Sequence, residues 1–243
     1  LVTSASISEI KKDGERLNLV TDKGVFNAPF IIVSTGARPN TGLFKNSPLK
    51  FHQSGAIVID EYSRTNIPDV YAAGDCATVK NLITGVDDYM PMATTANKQG
   101  RVAGLQAAGV TTELFKGAIG TQMMKVCDLE AAKTGFNRND ASKHGIEIID
   151  SITDWKSRAG YCPASRPIKV KLTIRADNRK VIGGEIIGSD FAAHRINTIA
   201  AAVTAGMTVE DLAYLDAGYA PPFSPVWDPV IAAAQGFISR VKG

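Results

Sequence analysis

Cysteine is scarce in this chain, and the few that occur exclude a disulfide-stabilised secreted scaffold. The 243 residues contain only Cys76, Cys127 and Cys162, an odd and scattered set that suits a reducing cytoplasm better than an oxidising compartment. Long apolar runs are also lacking, and none approaches the roughly 20 residues that a membrane-spanning helix needs. We therefore expect a cytoplasmic protein with no membrane partner.

Strong charge of one sign is missing as well. The formal net charge is +3, and the basic residues form no stripe with interleaved aromatic side chains, so we expect no nucleic-acid partner. The histidines are scattered without metal-ligand spacing, which predicts no metal site. Hydrophobic residues make up 44% of the sequence, enough for the core of one large domain or two smaller ones.

The most informative segment that is present is residues 65–75, with the sequence TNIPDVYAAGD. A short apolar strand predicted at 70–73 leads directly into Gly74 and Asp75. Glycine lets the backbone pass close to a ligand, and an aspartate at the carboxyl end of a strand can accept hydrogen bonds from sugar hydroxyls. The segment resembles the second flavin-binding motif of the pyridine nucleotide-disulfide oxidoreductases, which implies that Asp75 holds the ribityl chain of FAD.

Two further segments resemble cofactor contacts of the same family. Residues 91–101, PMATTANKQGR, predict a helix whose free N–H groups suit an electron-rich oxygen. A predicted buried strand ends at Gly36, as at the family's crossover from the nicotinamide domain, where a dinucleotide approaches the backbone. The resemblance implies FAD and NAD(P)H as cofactors. It also implies that the flavin ring meets the backbone of Met92, Ala93 and Thr94.

Two tyrosines are the expected catalytic residues. Residues 218–229, GYAPPFSPVWDP, resemble the C-terminal signature of the coenzyme A-disulfide reductase and NADH oxidase subgroup, in which a tyrosine matching Tyr219 reaches the partner subunit's cysteine site. Residues 158–163, RAGYCP, resemble a Tyr-Tyr-Pro segment with a second catalytic phenol, which Tyr161 matches. A phenol can protonate a leaving thiolate. The alternative for Tyr219 is a core aromatic in a proline-rich turn.

Cys162 stands where the family has its second tyrosine, and we do not expect it to be the redox cysteine. Three basic residues near this segment are either contacts for coenzyme A phosphates or ordinary solvated charges: Lys156, Arg158 and Lys169.

The resemblance predicts an α/β partial FAD/NAD(P)-binding doubly wound domain followed by an α+β dimerisation domain. Residues 1–36 would end the NAD(P)-binding domain, 37–111 would form the C-terminal half of the FAD-binding domain, and 112–243 the dimerisation domain of a C2 homodimer. The G-x-G-x-x-G loops and the redox cysteine of the family are absent, and the chain begins with Leu1. We therefore expect the C-terminal part of a longer flavoenzyme, which binds FAD poorly by itself.

Local patterns predict the individual elements. Strands are expected at 5–11, 16–21, 30–34 (buried on both faces), 57–59, 122–127, 147–150, 168–174 and 181–187. Helices are expected at 92–108, 128–133, 191–205, 209–215 and 226–241.

The resemblance favours an oxidoreductase that reduces coenzyme A disulfide through a cysteine outside this sequence. Two alternatives remain open. The same scaffold could act as an NADH oxidase, a peroxidase or a polysulfide reductase, or the chain could be a catalytically inactive dimerisation fragment. NADH and NADPH are not distinguished, because the loop that reads the ribose is missing.

Overall fold

A computed structural model describes residues 1–110 and 112–241 of the chain. The chain divides into two compact units, residues 1–37 and residues 38–243. Each unit is described by itself.

The first unit is an antiparallel three-stranded meander. Its strands β1 (Ile7–Asp13), β2 (Arg16–Thr21) and β3 (Gly24–Ala28) pair in the order β1-β2-β3. The turn between β1 and β2 contains Gly14 at φ +62°, a conformation that glycine adopts without a Cβ clash. The two predicted strands and their Gly-containing turn are confirmed.

The strand predicted at 30–34 does not form among the described residues. Phe30, Ile32 and Val33 are 67%, 79% and 69% exposed. A strand buried on both faces needs paired neighbours at its edges and a covering layer on each side, and the described residues of the first unit provide neither. The prediction of a buried strand is therefore wrong for this chain.

The second unit begins with a largely irregular segment, residues 38–92. It holds two short strands, β4 (Val79–Lys80) and β5 (Asp87–Asp88), and a small core of Leu49, Ile57, Ile59 and Ala77. The strands predicted at 57–59 and 70–73 are reduced to isolated bridges, two at Ile57 and one at Tyr71. Left-handed residues at Gly55, Ser63 and Asp69 bend the backbone between these segments, so no continuous ladder can form.

The helix predicted at 92–108 is confirmed as α1 (Ala93–Ala107). Its buried residues, Thr95, Gln99, Val102 and Gln106, recur every three or four positions, which is the spacing of one helical face. Gly109 follows at φ +79°, as expected for a helix stop.

The remaining residues form an antiparallel sheet with helices on one side. The five strands pair in the order β6-β7-β10-β9-β8. They are β6 (Gln122–Val126), β7 (Leu129–Gly135), β8 (Ile148–Lys156), β9 (Pro167–Arg175) and β10 (Val181–Gly188). The helices are α2 (Arg138–Lys143), α3 (Ile196–Ala205), α4 (Val209–Ala213) and α5 (Pro229–Val241).

The main core lies between this sheet and helices α3, α4 and α5. Alternate residues of β9 point into it, and Ile168, Val170, Leu172 and Ile174 are at most 2% exposed. Phe237 of α5 packs in the same cluster. The predicted α+β arrangement is confirmed, as is the turn at 176–179 that joins β9 to β10.

One element of this half has the opposite type from the prediction. Residues 128–133, predicted as a short helix, lie mostly in strand β7, which pairs with β6 on one side and β10 on the other. Cys127 at φ +53° makes the tight turn before it. Hydrogen bonds to two neighbouring strands outweigh the helix propensity of a six-residue segment.

The helices of this half differ from the predictions in their bounds. A 3-10 turn at Ala192–Arg195 precedes α3, and α5 begins at Pro229, three residues later than predicted. Within the described part of the chain, no helix is both long and apolar enough to cross a membrane.

Candidate functional site

Gly74 and Asp75 form a single 3-10 turn beside the start of α1. Gly74 has φ +79°, and the turn spans Gly74–Cys76. A Cβ at Gly74 would lie 3.5 Å from the Cβ of Ala96, so the turn packs closely on the helix. The backbone N–H of Ile57 donates to the Cys76 carbonyl at 2.8 Å, which ties the turn to the small core.

Gln99 on α1 holds this turn in place, a role that the sequence pattern did not reveal. The Gly74 N–H donates to Gln99 Oε1 at 2.9 Å, and Gln99 Nε2 donates to the Thr78 carbonyl at 2.8 Å. The side chain is only 2% exposed. Because Gln99 lies 25 residues from Gly74, no local signal could have indicated the contact.

The carboxylate of Asp75 is exposed and accepts no hydrogen bond from residues 1–110 or 112–241. The neighbouring Tyr89 hydroxyl donates instead to the Asp75 backbone carbonyl at 3.1 Å. Burial, followed by the nearby charges of Asp75 and Cys76, raises the pKa of Tyr89. The Asp75 carboxylate is thus available to accept hydrogen bonds from the hydroxyl groups of a ligand.

The N-terminus of α1 presents unpaired backbone donors next to this carboxylate. Met92 is the N-cap residue, and its side chain makes no capping hydrogen bond. The first N–H groups of a helix have no partner within the helix and carry partial positive charge, here at the exposed Ala93 and Thr94. A groove of about 980 Å³ borders the N-terminal end of α1, and Met92, Thr94 and Lys98 are among the residues that line it.

These features fit a flavin dinucleotide. A free carboxylate suits the ribityl hydroxyls, and uncapped helix donors suit the electron-rich pyrimidine edge of the ring. Gly36, the other predicted cofactor contact, lies in the first unit at φ +86°, with no atom within 4 Å of a built Cβ. Its backbone is thus open to close approach.

The two predicted catalytic tyrosines come together. Tyr161 lies in the loop between β8 and β9 (residues 157–166, the β8–β9 loop), and Tyr219 lies in the segment before α5 (residues 214–228, the α4–α5 segment). They are 75% and 47% exposed. The neighbouring Tyr219 hydroxyl raises the pKa of Tyr161, and burial and the nearby charges of Tyr219 and Cys162 act in the same direction.

An ion pair anchors the base of the β8–β9 loop. Arg158 pairs with Asp190, whose carboxylate also accepts a hydrogen bond from the Ser157 hydroxyl at 2.9 Å. The Arg158 guanidinium lowers the pKa of Asp190. Arg158 is therefore engaged within the protein, whereas Lys169 pairs with Asp154 at the solvent-exposed surface.

Among the described residues, the candidate cofactor contacts around Asp75 and the tyrosine pair do not form one pocket. Within residues 1–110 and 112–241, no hydrogen bond or ion pair links Asp75 or the first turn of α1 to Tyr161 or Tyr219. Cys76, Cys127 and Cys162 are free thiols, and Cys162 lies beside Tyr161. The same ranges contain no cluster of His, Cys, Asp or Glu able to hold a metal.

Comparison with known proteins identifies both halves of the chain. The family profile described as "Pyridine nucleotide-disulphide oxidoreductase" matches residues 1–100, and its companion "Pyridine nucleotide-disulphide oxidoreductase, dimerisation domain" matches residues 121–229. The chain is 38% identical over 217 residues to the NAD(P)H sulfur oxidoreductase (CoA-dependent) of Pyrococcus furiosus. That match covers 89% of this chain and 49% of the relative. It is 33% identical to the NADH oxidase of Methanocaldococcus jannaschii. That match covers 91% of this chain and 49% of the relative.

A solved structure matches over the full chain. The NAD-dependent persulfide reductase from A. fulgidus superposes with a TM-score of 0.93 at 37% identity, covering 100% of this chain and 45% of that one. The match confirms the predicted fold class, a partial FAD/NAD(P)-binding domain followed by an α+β dimerisation domain. The chain spans about half the length of the curated relatives it matches. It belongs to the pyridine nucleotide-disulphide oxidoreductase family, whose members are enzymes that use FAD and NAD(P)H.

Proposed function

We propose that this chain is the C-terminal part of an FAD-dependent NAD(P)H oxidoreductase that reduces coenzyme A disulfide. The tyrosine pair is the observation that carries the proposal, because Tyr161 and Tyr219 are solvent-exposed and lie close enough for their hydroxyls to interact. Two phenols at the surface of a dimerisation domain suit proton donation to a leaving thiolate at another site. The (CoA-dependent) name of the Pyrococcus relative supports a coenzyme A thiol as part of the substrate.

The cofactor would be held by groups that remain free in this chain. Asp75 would accept hydrogen bonds from the ribityl hydroxyls, and the backbone N–H groups at Met92, Ala93 and Thr94 would face the pyrimidine edge of the flavin. Gly36 would let a dinucleotide approach the backbone. When bound, the flavin supplies a hydride acceptor for NAD(P)H and an electron source for the disulfide.

The tyrosines would supply the proton. The raised pKa of Tyr161 is consistent with an arrangement in which its hydroxyl would donate to the Tyr219 oxygen, because stabilising the neutral phenol raises its pKa. The hydroxyl proton of Tyr219 is then free to protonate the departing thiolate. NAD(P)H and one proton reduce one molecule of coenzyme A disulfide to two thiols.

The site would be assembled across a homodimer. The match to the dimerisation-domain profile supports the dimer, and a two-fold axis would place the tyrosines of one subunit at the cysteine of the other. That cysteine would belong to a part of the protein outside this sequence. The free state of all three thiols in this chain supports a reducing, cytoplasmic setting.

Three other functions are kept as alternatives. The name of the Pyrococcus furiosus relative favours sulfur as the substrate and that of the A. fulgidus relative favours a persulfide, which supports a polysulfide reductase as one alternative, and the Methanocaldococcus relative favours an NADH oxidase. A catalytically inactive dimerisation fragment is the third alternative. It predicts a purified chain without visible flavin absorbance after desalting.

The test uses the full-length protein that contains this chain. NAD(P)H oxidation is followed anaerobically with coenzyme A disulfide, and the thiols released are counted. We expect two thiols per NAD(P)H and a loss of kcat of about 100-fold or more in Tyr219→Phe. Tyr214→Phe is the matched control, since Tyr214 lies in the same segment and is 74% exposed but has no assigned role.

Each other outcome selects an alternative. Turnover that begins only when oxygen is admitted would identify an oxidase. Sulfide release from a persulfide at a much higher kcat/KM would identify a persulfide reductase. Equal kcat values for Tyr219→Phe, Tyr214→Phe and the unmodified protein would overturn the role of the tyrosine pair.

A further inference from the structure

Arg195 reaches both of the segments that carry the tyrosines. It ends the 3-10 turn Ala192–Arg195 that leads into α3. Its Nη2 donates to the Ser157 carbonyl at 2.7 Å and to the Phe223 carbonyl at 3.0 Å. Ser157 is four residues before Tyr161, and Phe223 is four residues after Tyr219.

The guanidinium is held in this position by a carboxylate. Arg195 Nε donates to Asp228 Oδ2 at 3.0 Å, and the two side chains are only 13% and 19% exposed. Asp228 is fixed in turn, because its Oδ1 accepts from the Val230 N–H at 2.9 Å in the first turn of α5. The Asp228 carboxylate thus compensates the charge of Arg195. It also orients the guanidinium toward the carbonyls of Ser157 and Phe223.

The other links near the tyrosines are long, hold one segment only, or start outside the β8–β9 loop, as does the bond from Trp155 Nε1 in β8 to the Trp227 carbonyl at 2.9 Å. One backbone hydrogen bond joins the two segments, from the Ala159 N–H to the Pro221 carbonyl, and at 3.4 Å it is long. The Arg158–Asp190 pair anchors the β8–β9 loop but does not contact the α4–α5 segment in the described ranges. Arg195 therefore provides charge-assisted hydrogen bonds to both segments from one buried group.

We infer that Arg195 is a positioning residue, which clamps the β8–β9 loop to the α4–α5 segment so that Tyr161 and Tyr219 face each other. The catalytic consequence of this clamp rests on the function proposed above; the clamp itself does not. Arginine suits the role because its planar guanidinium offers several donors in fixed directions, whereas lysine offers a single point charge.

The clamp is tested by the titration of Tyr161 in the full-length protein. Tyrosine ring carbons are labelled with ¹³C, and the signal of Tyr161 is assigned by its loss in Tyr161→Phe. In Arg195→Ala we expect the Tyr161 pKa to fall toward that of a free tyrosine, because the β8–β9 loop and the α4–α5 segment separate and the interaction with Tyr219 is lost. We also expect kcat to drop about 10- to 100-fold, with the KM for NAD(P)H unchanged.

Arg175→Ala is the matched control. It removes another arginine–aspartate pair, that of Arg175 with Asp177 at 2.8 Å, without touching either tyrosine segment. Arg195→Lys guards against a folding failure of the alanine variant, and it should shift the Tyr161 titration in the same direction by a smaller amount. An unchanged titration in a folded Arg195 variant would overturn the clamp.

The two hypotheses can fail separately, because the titration needs no turnover. A lowered Tyr161 pKa in Arg195→Ala, combined with full activity in Tyr219→Phe, would support the clamp and reject the proposed catalytic role. An unchanged Tyr161 pKa, combined with an inactive Tyr219→Phe, would reject the clamp and leave the catalytic role standing.

Discussion

At the scale of single residues, a few buried polar side chains join segments that are far apart in sequence. Gln99 connects α1 to the turn that carries Asp75 through one hydrogen bond, and to Thr78 just after that turn through a second. Arg195 connects three segments around the tyrosine pair. Such groups position the candidate site without contacting a ligand themselves.

Replacing Gln99 by leucine is expected to destabilise the second unit. The change removes both hydrogen bonds and leaves the Gly74 N–H and the Thr78 carbonyl without their partner, which costs about 1–3 kcal/mol. Urea unfolding of the full chain measures the loss. Gln106→Leu on the same helix is the control: its two bonds are 3.4 and 3.5 Å long, so a smaller cost is expected. Equal costs for the two variants would contradict the role given to Gln99.

The Asp190 carboxylate is expected to contribute stability that depends on pH. The Arg158 hydrogen bond lowers its pKa in the folded state, as do the Ser157 hydroxyl and the charges of Arg158 and Arg195, against an opposing effect of burial. A depressed folded pKa gives stability that is fully present above the unfolded value of about 3.9. This stability is lost as the pH falls through the folded pKa.

Asp190→Asn should therefore lower the free energy of unfolding by a nearly constant amount above about pH 5. The difference in the free energy of unfolding between the variant and the unmodified chain should disappear in more acid solution. Urea unfolding at a series of pH values measures it. Asp154→Asn, which removes an exposed partner of Lys169, is the control. A difference that persists unchanged at the acid end would argue against the ion pair as its source.

At the scale of elements, the five-stranded sheet depends on close backbone approach between β10 and the end of β7. A Cβ placed on Gly183 would lie 2.1 Å from the Phe136 carbonyl oxygen. No side-chain rotation can relieve a clash with the backbone, so the pairing requires glycine at this position.

Gly183→Ala is accordingly expected to lower the free energy of unfolding by about 1–3 kcal/mol or more. Gly104→Ala in α1 is the matched control, because Gly104 is exposed and has no atom within 4 Å of a built Cβ. That change should raise helix stability by about 0.5–1 kcal/mol. Thermal and urea unfolding of the two variants measure the contrast. Similar stabilities would mean that the strands separate at little cost.

At the scale of the whole molecule, the proposed reaction needs two subunits. The proposed cofactor contacts, Asp75 and the start of α1, lie in one place, and the proposed proton donors, Tyr161 and Tyr219, lie in another. No hydrogen bond or ion pair joins the two places within the described ranges. A two-fold dimer could bring the phenols of one subunit to the redox centre of its partner.

A hybrid dimer tests this arrangement. One full-length subunit carries Tyr161→Phe and Tyr219→Phe, and the other has its reactive cysteine replaced by serine. Two affinity tags isolate the mixed dimer. Each parent homodimer should be inactive, and the hybrid should regain about half of the normal activity, since one of its two equivalent sites is intact. A hybrid as inactive as its parents would place tyrosines and cysteine within the same subunit.

Much of this architecture could be predicted from local sequence. The helix α1 and the β9–β10 hairpin follow signals within about a dozen residues of each other. The strands predicted at 30–34 and 57–59 failed because a strand exists only with its neighbours. The assigned site residues Asp75, Gly36, Tyr161 and Tyr219 are positions matched by motif, and their roles stay predictions.

The sequence by itself determined the family resemblance and the positions of the candidate site residues, because short-range turn chemistry and motif spacing do not depend on distant parts of the chain. The tertiary structure decided that residues 129–135 form a strand, since pairing on both edges outweighs local helix propensity. It also decided which polar groups hold the site together. Gln99, Asp190 and Arg195 act on residues 21 or more positions away, and only packing brings such partners within hydrogen-bonding distance.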